Sequence, residues 1–355
     1  MNVMDRANLA HLTRHRLFWP VAVLVLLLLV NAVITPDFLA IKVRQGHLYG
    51  SLIDILRFGA PLIMVSLGMT VVIATRGIDL SVGSVVAISG AMACYLLSGG
   101  HALATALAVS LALCLVLGLW NGLLVTRLKI QPIIATLILM VGGRGIAQLI
   151  TGGQIITIDQ DSGYSTIGGG HLLGLPVAVL IVLAAVAAAA VLVRRTALGM
   201  LLESVGGNAE ASRLVGIRAS GLIMLGYVFC AMCAGVAGWM ISSDVSAADG
   251  NNAGLWIELD AILAVVLGGT ALTGGRFSIA GTVVGALIIQ TLATTIYTAG
   301  IPPRTTLVFE AVVVTIVFLL QSPAFRAKVG RRRPGGPLSP PTDPPSADKK
   351  VEMPA

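Results

Sequence analysis

Arg76, Asp79 and Ser81 stand in the stretch "TRGIDLSVGSVVA" (75–87), between two apolar runs that are each long enough to enter a bilayer. Polar side chains there have two uses. Gly77 and Gly83 bracket a helix break, and the oxygens of Asp79 or Ser81 can accept from the free N–H groups of a helix that starts near Leu80. A break at membrane depth is tolerated only where it faces protein or a water-filled path, so the same side chains are candidates for the wall of such a path. Both uses stay open on the sequence alone. Arg144 poses a similar question. A charge facing lipid in mid-span costs about 2.5 to 3.5 kcal/mol on the insertion scale, so Arg144 must face inward, with Gln148 one turn on. Gly142, Gly143 and Gly145 around it permit close helix approach. Asn121 and Gln131 are polar residues at the inner ends of their runs. Each of these four is either a polar clamp between helices or a contact on a solute path.

Composition says what must position these side chains. Of 355 residues 56% are apolar and 11% charged, and the mean hydropathy is +0.94, whereas an average soluble domain is about 25% charged. The pattern predicts an all-α integral membrane protein, because in lipid every backbone polar group must be paired. Apolar runs lie near 18–34, 51–75, 80–98, 102–126, 132–151, 171–193, 222–242, 257–273, 278–298 and 305–321. At ~20 residues per crossing they predict about ten transmembrane helices. The first run follows Arg14, His15 and Arg16 as a signal peptide would, but no clear small-x-small site follows Asn31, so it is read as an uncleaved span.

Basic residues sort the two sides. With the N-terminus inside, the inner segments hold 18 of the 23 Lys and Arg, and the outer segments only Lys42, Arg44 and Arg304. That bias places the N- and C-termini in the cytoplasm. The outer loops 152–170 and 243–256 have no Lys or Arg but carry Asp159, Asp161, Asp244 and Asp249. The expected organisation is a cytoplasmic segment 1–17, a membrane domain 18–322 and a basic, Pro-rich, disordered cytoplasmic tail 323–355. The formal charge of +7 follows from this topology and needs no nucleic-acid partner.

Several chemistries are excluded. No lysine is followed by Ser or Thr, so the chain lacks a P-loop. Only Asp54, Asp79 and Glu310 are candidates for a proton relay within the spans, and Asp54, three residues from Arg57, is expected to pair with it on one helix face. Cys94, Cys114, Cys230 and Cys233 fall inside spans and are read as small packing residues. The five histidines show no metal-ligand spacing, so no metal site is expected.

The longest inner loop, "RRTALGMLLESVGGNAEASRLVGIRASG" (194–221), lies between the sixth and seventh runs. Its spacing predicts a short amphipathic helix over 210–216, with Glu210 near its start, Ala211, Leu214 and Val215 on an apolar face, and Gly216 as its C-terminal cap. By spacing alone such a helix also suits a connector lying on lipid headgroups.

This loop resembles the coupling loop of permease subunits in ATP-binding-cassette importers, Glu-Ala-Ala followed by three residues and Gly, with Ser212 replacing the second alanine. The segment 77–83, "GIDLSVG", is similar to the signature of the ribose, xylose and related sugar permeases. "LKIQPIIATLILMVGGRGIAQLIT" (128–151), "NNAGLWIELDAILAVV" (251–266) and "GALIIQ" (285–290) resemble galactofuranose importer permeases. The resemblance covers about residues 45–322. It implies a ten-helix permease of the bacterial inner membrane, a transport subunit rather than an enzyme. Its implied partners are a second permease, two cytoplasmic ATPase subunits that use ATP and Mg, an extracytoplasmic sugar-binding protein and membrane lipid.

On that resemblance Asn208, Glu210, Ala211, Arg213 and Gly216 are expected to couple to the ATPase. Arg76, Asp79, Ser81, Asn121, Gln131, Arg144 and Gln148 are expected at the sugar path or its gate. In "DGNNAGLWIELD" (249–260), Asn251, Asn252, Glu258 and Asp260 suit sugar hydroxyls and the Trp256 indole suits a sugar's C–H face, which marks an outer gate or a docking site for the binding protein. Trp256 equally suits a membrane-interface anchor. The family carries two related halves, and "RGIDLSVGSVVA" (76–87) faintly echoes "GRFSIAGTVVGA" (275–286). The alternative for the whole chain is a secondary transporter or facilitator acting alone.

Overall fold

The fold comes from a computed structural model that describes residues 17–44, 46–159 and 162–300, with isolated positions 308, 311, 312 and 315. Apart from those positions, the expected span 305–321 and the segments 1–16 and 323–355 lie outside the described residues.

Leu-, Val- and Ala-rich runs become helices. Helix α1 (Phe18–Ile34) leads through the hairpin β1 (Lys42–Arg44) and β2 (His47–Tyr49) into α2 (Ser51–Ala74). Helices α3 (Val82–Ser98), α4 (Leu103–Thr126) and α5 (Pro132–Thr151) follow. Strand β3 (Ile155–Thr157), the one-turn helix α6 (Ser165–Gly168) and the hairpin β4 (His171–Leu172) and β5 (Leu175–Pro176) precede α7 (Val177–Arg195). Then come α8 (Leu198–Gly207), α9 (Ala209–Leu214), α10 (Ala219–Asp244), β6 (Ala247–Asp249), α11 (Ile257–Leu267) and α12 (Ile279–Thr298).

Among the described residues α2, α4, α5, α7, α10 and α12 are long and apolar enough to cross a membrane, which makes this a multi-pass membrane protein. Helices α1 and α3 have 17 residues each and α11 has 11. The run 257–273 is therefore not one helix. It stays apolar beyond α11, but the helix ends where Gly269 takes φ +87°, with Gly269 N and Thr270 N bonded back to Val266 O and Val265 O. The run 171–193 becomes helical only from Val177, because its first six residues pair as a hairpin. The loop 194–221 holds two helices rather than one, α8 and α9.

Helix α10 is the axis of the bundle and packs against α2, α3 and α4. Small residues let it come close: a Cβ placed on Gly68 of α2 would stand 2.7 Å from Cys230 Cα. All four cysteines are free and buried. The expected Asp54–Arg57 pair does not form. Arg57 instead bridges to Asp244 at the end of α10 and donates from Nε to Gly168 O at 3.3 Å. Strand β3 pairs antiparallel with β6, so the two loops free of Lys and Arg meet at one end of the bundle.

Candidate translocation and coupling sites

Helix α2 ends in a hydrogen-bonded reversal that explains the break after it. Gly77 N bonds to Val72 O and Arg76 N to Ile73 O, both at 2.9 Å, and Arg76 takes φ +63°. This is a Schellman end, whose left-handed position usually belongs to glycine. Gly152, Gly216 and Gly269 fill that position at the ends of α5, α9 and α11, each with positive φ. Arg76 is the exception, and its side chain reaches Gly207 O at the end of α8.

Beyond the reversal the chain turns inward. Asp79 is 1% exposed, and its Oδ1 accepts from Ser81 N at 2.9 Å and from the Ser81 hydroxyl at 2.6 Å. This is an Asx-type turn that leads into α3. Ser81 does not accept from the helix, contrary to one expectation; its side chain donates to Asp79 and accepts from Asn121 Nδ2 of α4 at 2.8 Å. Asn121 Nδ2 also lies 3.4 Å from Asp79 Oδ1. Two further residues, not singled out in the sequence, complete the seam. Thr136 of α5 accepts from Leu80 N at 3.1 Å, and Ser84 donates to Leu139 O at 3.1 Å. The break is thus tied to α4 and α5 by polar groups that are themselves buried. Tyr227 of α10 brings a buried hydroxyl against Gly77. Its one visible signal is a polar ring in the middle of an apolar run.

Arg144 lies partly buried on α5 and donates to Ala253 O at 2.7 Å, within electrostatic range of Glu258 and Asp249. Glu258 is buried in the first turn of α11 against Gly83, and a Cβ on Gly83 would collide with its carboxylate. The loop 249–256 therefore folds down along α3 and α5. At its top Asp249 accepts from Asn251 N at 2.8 Å and from Asn252 Nδ2 at 2.8 Å. These amide hydrogen bonds, the Asn252 side chain first, hold the Asp249 carboxyl below its ordinary pKa. Trp256 takes φ +70° and stands half exposed, while Asp260 lies one turn into α11. Gln148 faces outward beside Gly142 and Gly145, where an added Cβ would meet nothing within 4 Å, and Gln131 is exposed at the N-cap of α5. Of the three glycines near Arg144, only Gly143 packs within the chain, against Ser84.

The loop after α7 forms the third cluster. Asn208 caps α9 by accepting from Ala211 N at 3.0 Å, Glu210 lies in the first turn and Arg213 in the last. Gly216, at φ +88°, ends the helix as its sequence position predicts. Ser212 is the buried member, while Leu214 and Val215 are 84% and 77% exposed. Immediately before α9 three backbones converge: Gly275 N donates to Ala74 O at 2.9 Å, and a Cβ on Gly206 would collide with that same carbonyl. Arg76 thus sits with the α8–α9 loop and not with Asp79.

The profile of the family described as "Branched-chain amino acid transport system / permease component" matches residues 51–319. The chain belongs to that permease family. A galactofuranose transporter permease of Escherichia coli K12 is 48% identical over 317 residues, covering 88% of this chain and 93% of the relative. A fructose import permease of Bifidobacterium longum is 40% identical, covering 86% and 88%, and a ribose import permease of Escherichia coli K12 is 34% identical, covering 85% and 92%. No solved structure matches. The resemblance to sugar-type importer permeases read from residues 77–83 and 128–151 is borne out by these relatives. This permease also shows where the internal echo falls: both echoing segments enter helices, α3 and α12, after a break, and Thr70 of α2 bonds to Thr282 of α12 at 2.7 Å.

Proposed function

We propose that this chain is the membrane subunit of an ATP-driven sugar importer of the bacterial inner membrane, spanning it about ten times with both termini inside. The observation that carries the reading is α9. It is capped at both ends, presents Leu214 and Val215 to solvent, and is joined through α8 to the junction of Ala74 and Gly275. A short helix with an uncovered apolar face and a stiff root suits a groove in a cytoplasmic ATPase, which would use the ATP and Mg. A second permease, the same or a related chain, covers the open face of α5, where Gly142 and Gly145 leave room for another helix.

The sugar path then runs beside Arg144 and Gln148 at that face. Asp79, Ser81 and Asn121 hold the wall rather than touch the sugar, since all three are buried among protein groups. Asn251, Asn252 and Trp256 form the exposed surface for an extracytoplasmic binding protein, with Glu258 and Asp260 beneath. A monosaccharide cargo is supported by the galactofuranose, fructose and ribose permeases among the relatives, and galactofuranose by the 48% identity. Co-purification in mild detergent tests the subunit role: the chain should retain an ATPase whose hydrolysis rises when sugar-loaded binding protein is added. A chain that retains none and equilibrates sugar alone is a facilitator instead. Titrating galactofuranose, fructose and ribose against the binding protein tests the cargo.

A further inference from the structure

One cavity lies apart from the Asp79 and Arg144 clusters. It occupies 150 Å³ between α2, α7, α8 and α10, and its whole lining is apolar, with Leu67 and Leu202 at its floor and Leu192 and Leu225 exposed at its mouth. Apolar cavities of about 150 Å³ stay dry and accept a six-carbon hydrocarbon such as benzene. An opening on the flank of a bundle in lipid meets acyl chains first.

The charges around the mouth decide what kind of lipid suits it. Ala189, Leu192 and Val193 line the cavity from α7 at helical spacing, and the next residues on that helix are Arg194 and Arg195, both exposed. On α10 the lining residues Leu225 and Phe229 continue a stripe that runs back through Leu222 to Arg218, also exposed, at the N-cap. Arg195 lies one turn beyond Leu192 and Arg218 one turn before Leu222, so two guanidinium groups stand at one end of the cavity, while Arg194, next to Val193, is turned to another side of α7. Among the described residues none of them has a carboxylate within ion-pair distance, and the nearby Glu203 of α8 is in no ion pair. Guanidinium groups match phosphate geometry and remain charged at any physiological pH.

We infer that this crevice binds an anionic phospholipid, with the first few carbons of one acyl chain in the cavity and the headgroup phosphate held by Arg195 and Arg218. The inference uses the cytoplasmic placement of the α7–α10 connection, the side on which anionic lipids face such basic clusters. Leu198 and Leu202 of α8 and Ile279 of α12 also line the cavity, so the bound chain packs against the two elements that lead into the Gly206–Gly275 junction. Lipid occupancy is thereby placed beside the root of α9.

Native mass spectrometry of the full-length chain in mild detergent tests this without any transport assay, so its result is separate from the sugar reading. Phosphatidylglycerol should be retained about tenfold more tightly than phosphatidylcholine, and millimolar inorganic phosphate should not displace it. Arg195→Gln/Arg218→Gln should bring phosphatidylglycerol down to the phosphatidylcholine level, and Ala189→Leu, which fills the cavity, should weaken both lipids. Phosphatidylglycerol with a photoreactive group on an acyl carbon close to the glycerol ester should label Leu192 or Leu225 in the wild-type chain, which guards against variants that misfold. Equal retention of the two lipids, displacement by phosphate alone, retention unchanged in the variants, or labels confined to other helices would each overturn the site.

Discussion

Asp79 holds both donors of Ser81 with one carboxylate oxygen, at 2.9 Å to the amide and 2.6 Å to the hydroxyl. Replacing Asp79 by Ala leaves the Ser81 amide and the Asn121 amide buried without that acceptor. Each such group costs about 1–3 kcal/mol. Asp79→Asn keeps one oxygen in place and should cost less. Thermal unfolding in detergent should rank wild type above Asp79→Asn and Asp79→Asn above Asp79→Ala; an Asp79→Ala protein as stable as wild type but dead in uptake would return Asp79 to the sugar path.

Arg76 occupies the one left-handed helix end that is not glycine among those compared above. Arg76→Gly should therefore relieve about 1 kcal/mol of backbone strain and leave the fold at least as stable. It also removes the contact to Gly207 O. ATP hydrolysis by the assembled complex should then respond less to loaded binding protein, read as a reduced stimulation ratio at unchanged or raised melting temperature.

Gly216→Val places a β-branched residue at φ +88°, which costs roughly 1–2 kcal/mol and misdirects the chain into α10. The permease should still reach the membrane. Uptake should be lost and retention of the ATPase weakened, as judged by pull-down; full stimulation of the ATPase by this variant would make α9 an interfacial connector.

The Arg57–Asp244 bridge joins α2 to the C-terminal end of α10 and is about three-quarters buried on both sides. A double-mutant cycle with Arg57→Met and Asp244→Asn should return a coupling energy of about 1 kcal/mol. Additive losses in the cycle would show that the two side chains act independently.

Glu210→Cys tests sidedness. The four native cysteines are buried, so an impermeant maleimide reports on the new thiol alone. Intact cells should leave it unlabelled and opened cells should label it. Labelling in intact cells would invert the topology.

Local chemistry made part of this architecture legible. The break at 75–81, the short helix near 210 and its glycine terminator all follow from residue types a few positions apart, and all three are present. The partner of Arg57 was not legible, because Asp54 is near in sequence whereas Asp244 is brought in from 187 residues away. Hydropathy also ran past the end of α11, since Gly268, Gly269 and Ala271 are apolar enough to extend a span while the backbone at Gly269 stops the helix. Arg76 and Asp79 looked like one site. The left-handed residue between helix and break sends their side chains to different neighbours, a consequence of backbone geometry that composition does not display.

The meeting of Ala74, Gly206 and Gly275 is made by main chain, with no side chain interposed. Side chains in contact can absorb a push by changing rotamer, whereas peptide planes have no such slack. A displacement of α9 thus reaches α2 and the lead-in to α12 without play and at the same moment. The joint works as a rigid crank rather than a spring. Its two outputs are the end of α2 and the lead-in to α12, so those segments are geared to move in step, and a state with one shifted and the other at rest would require the joint itself to come apart.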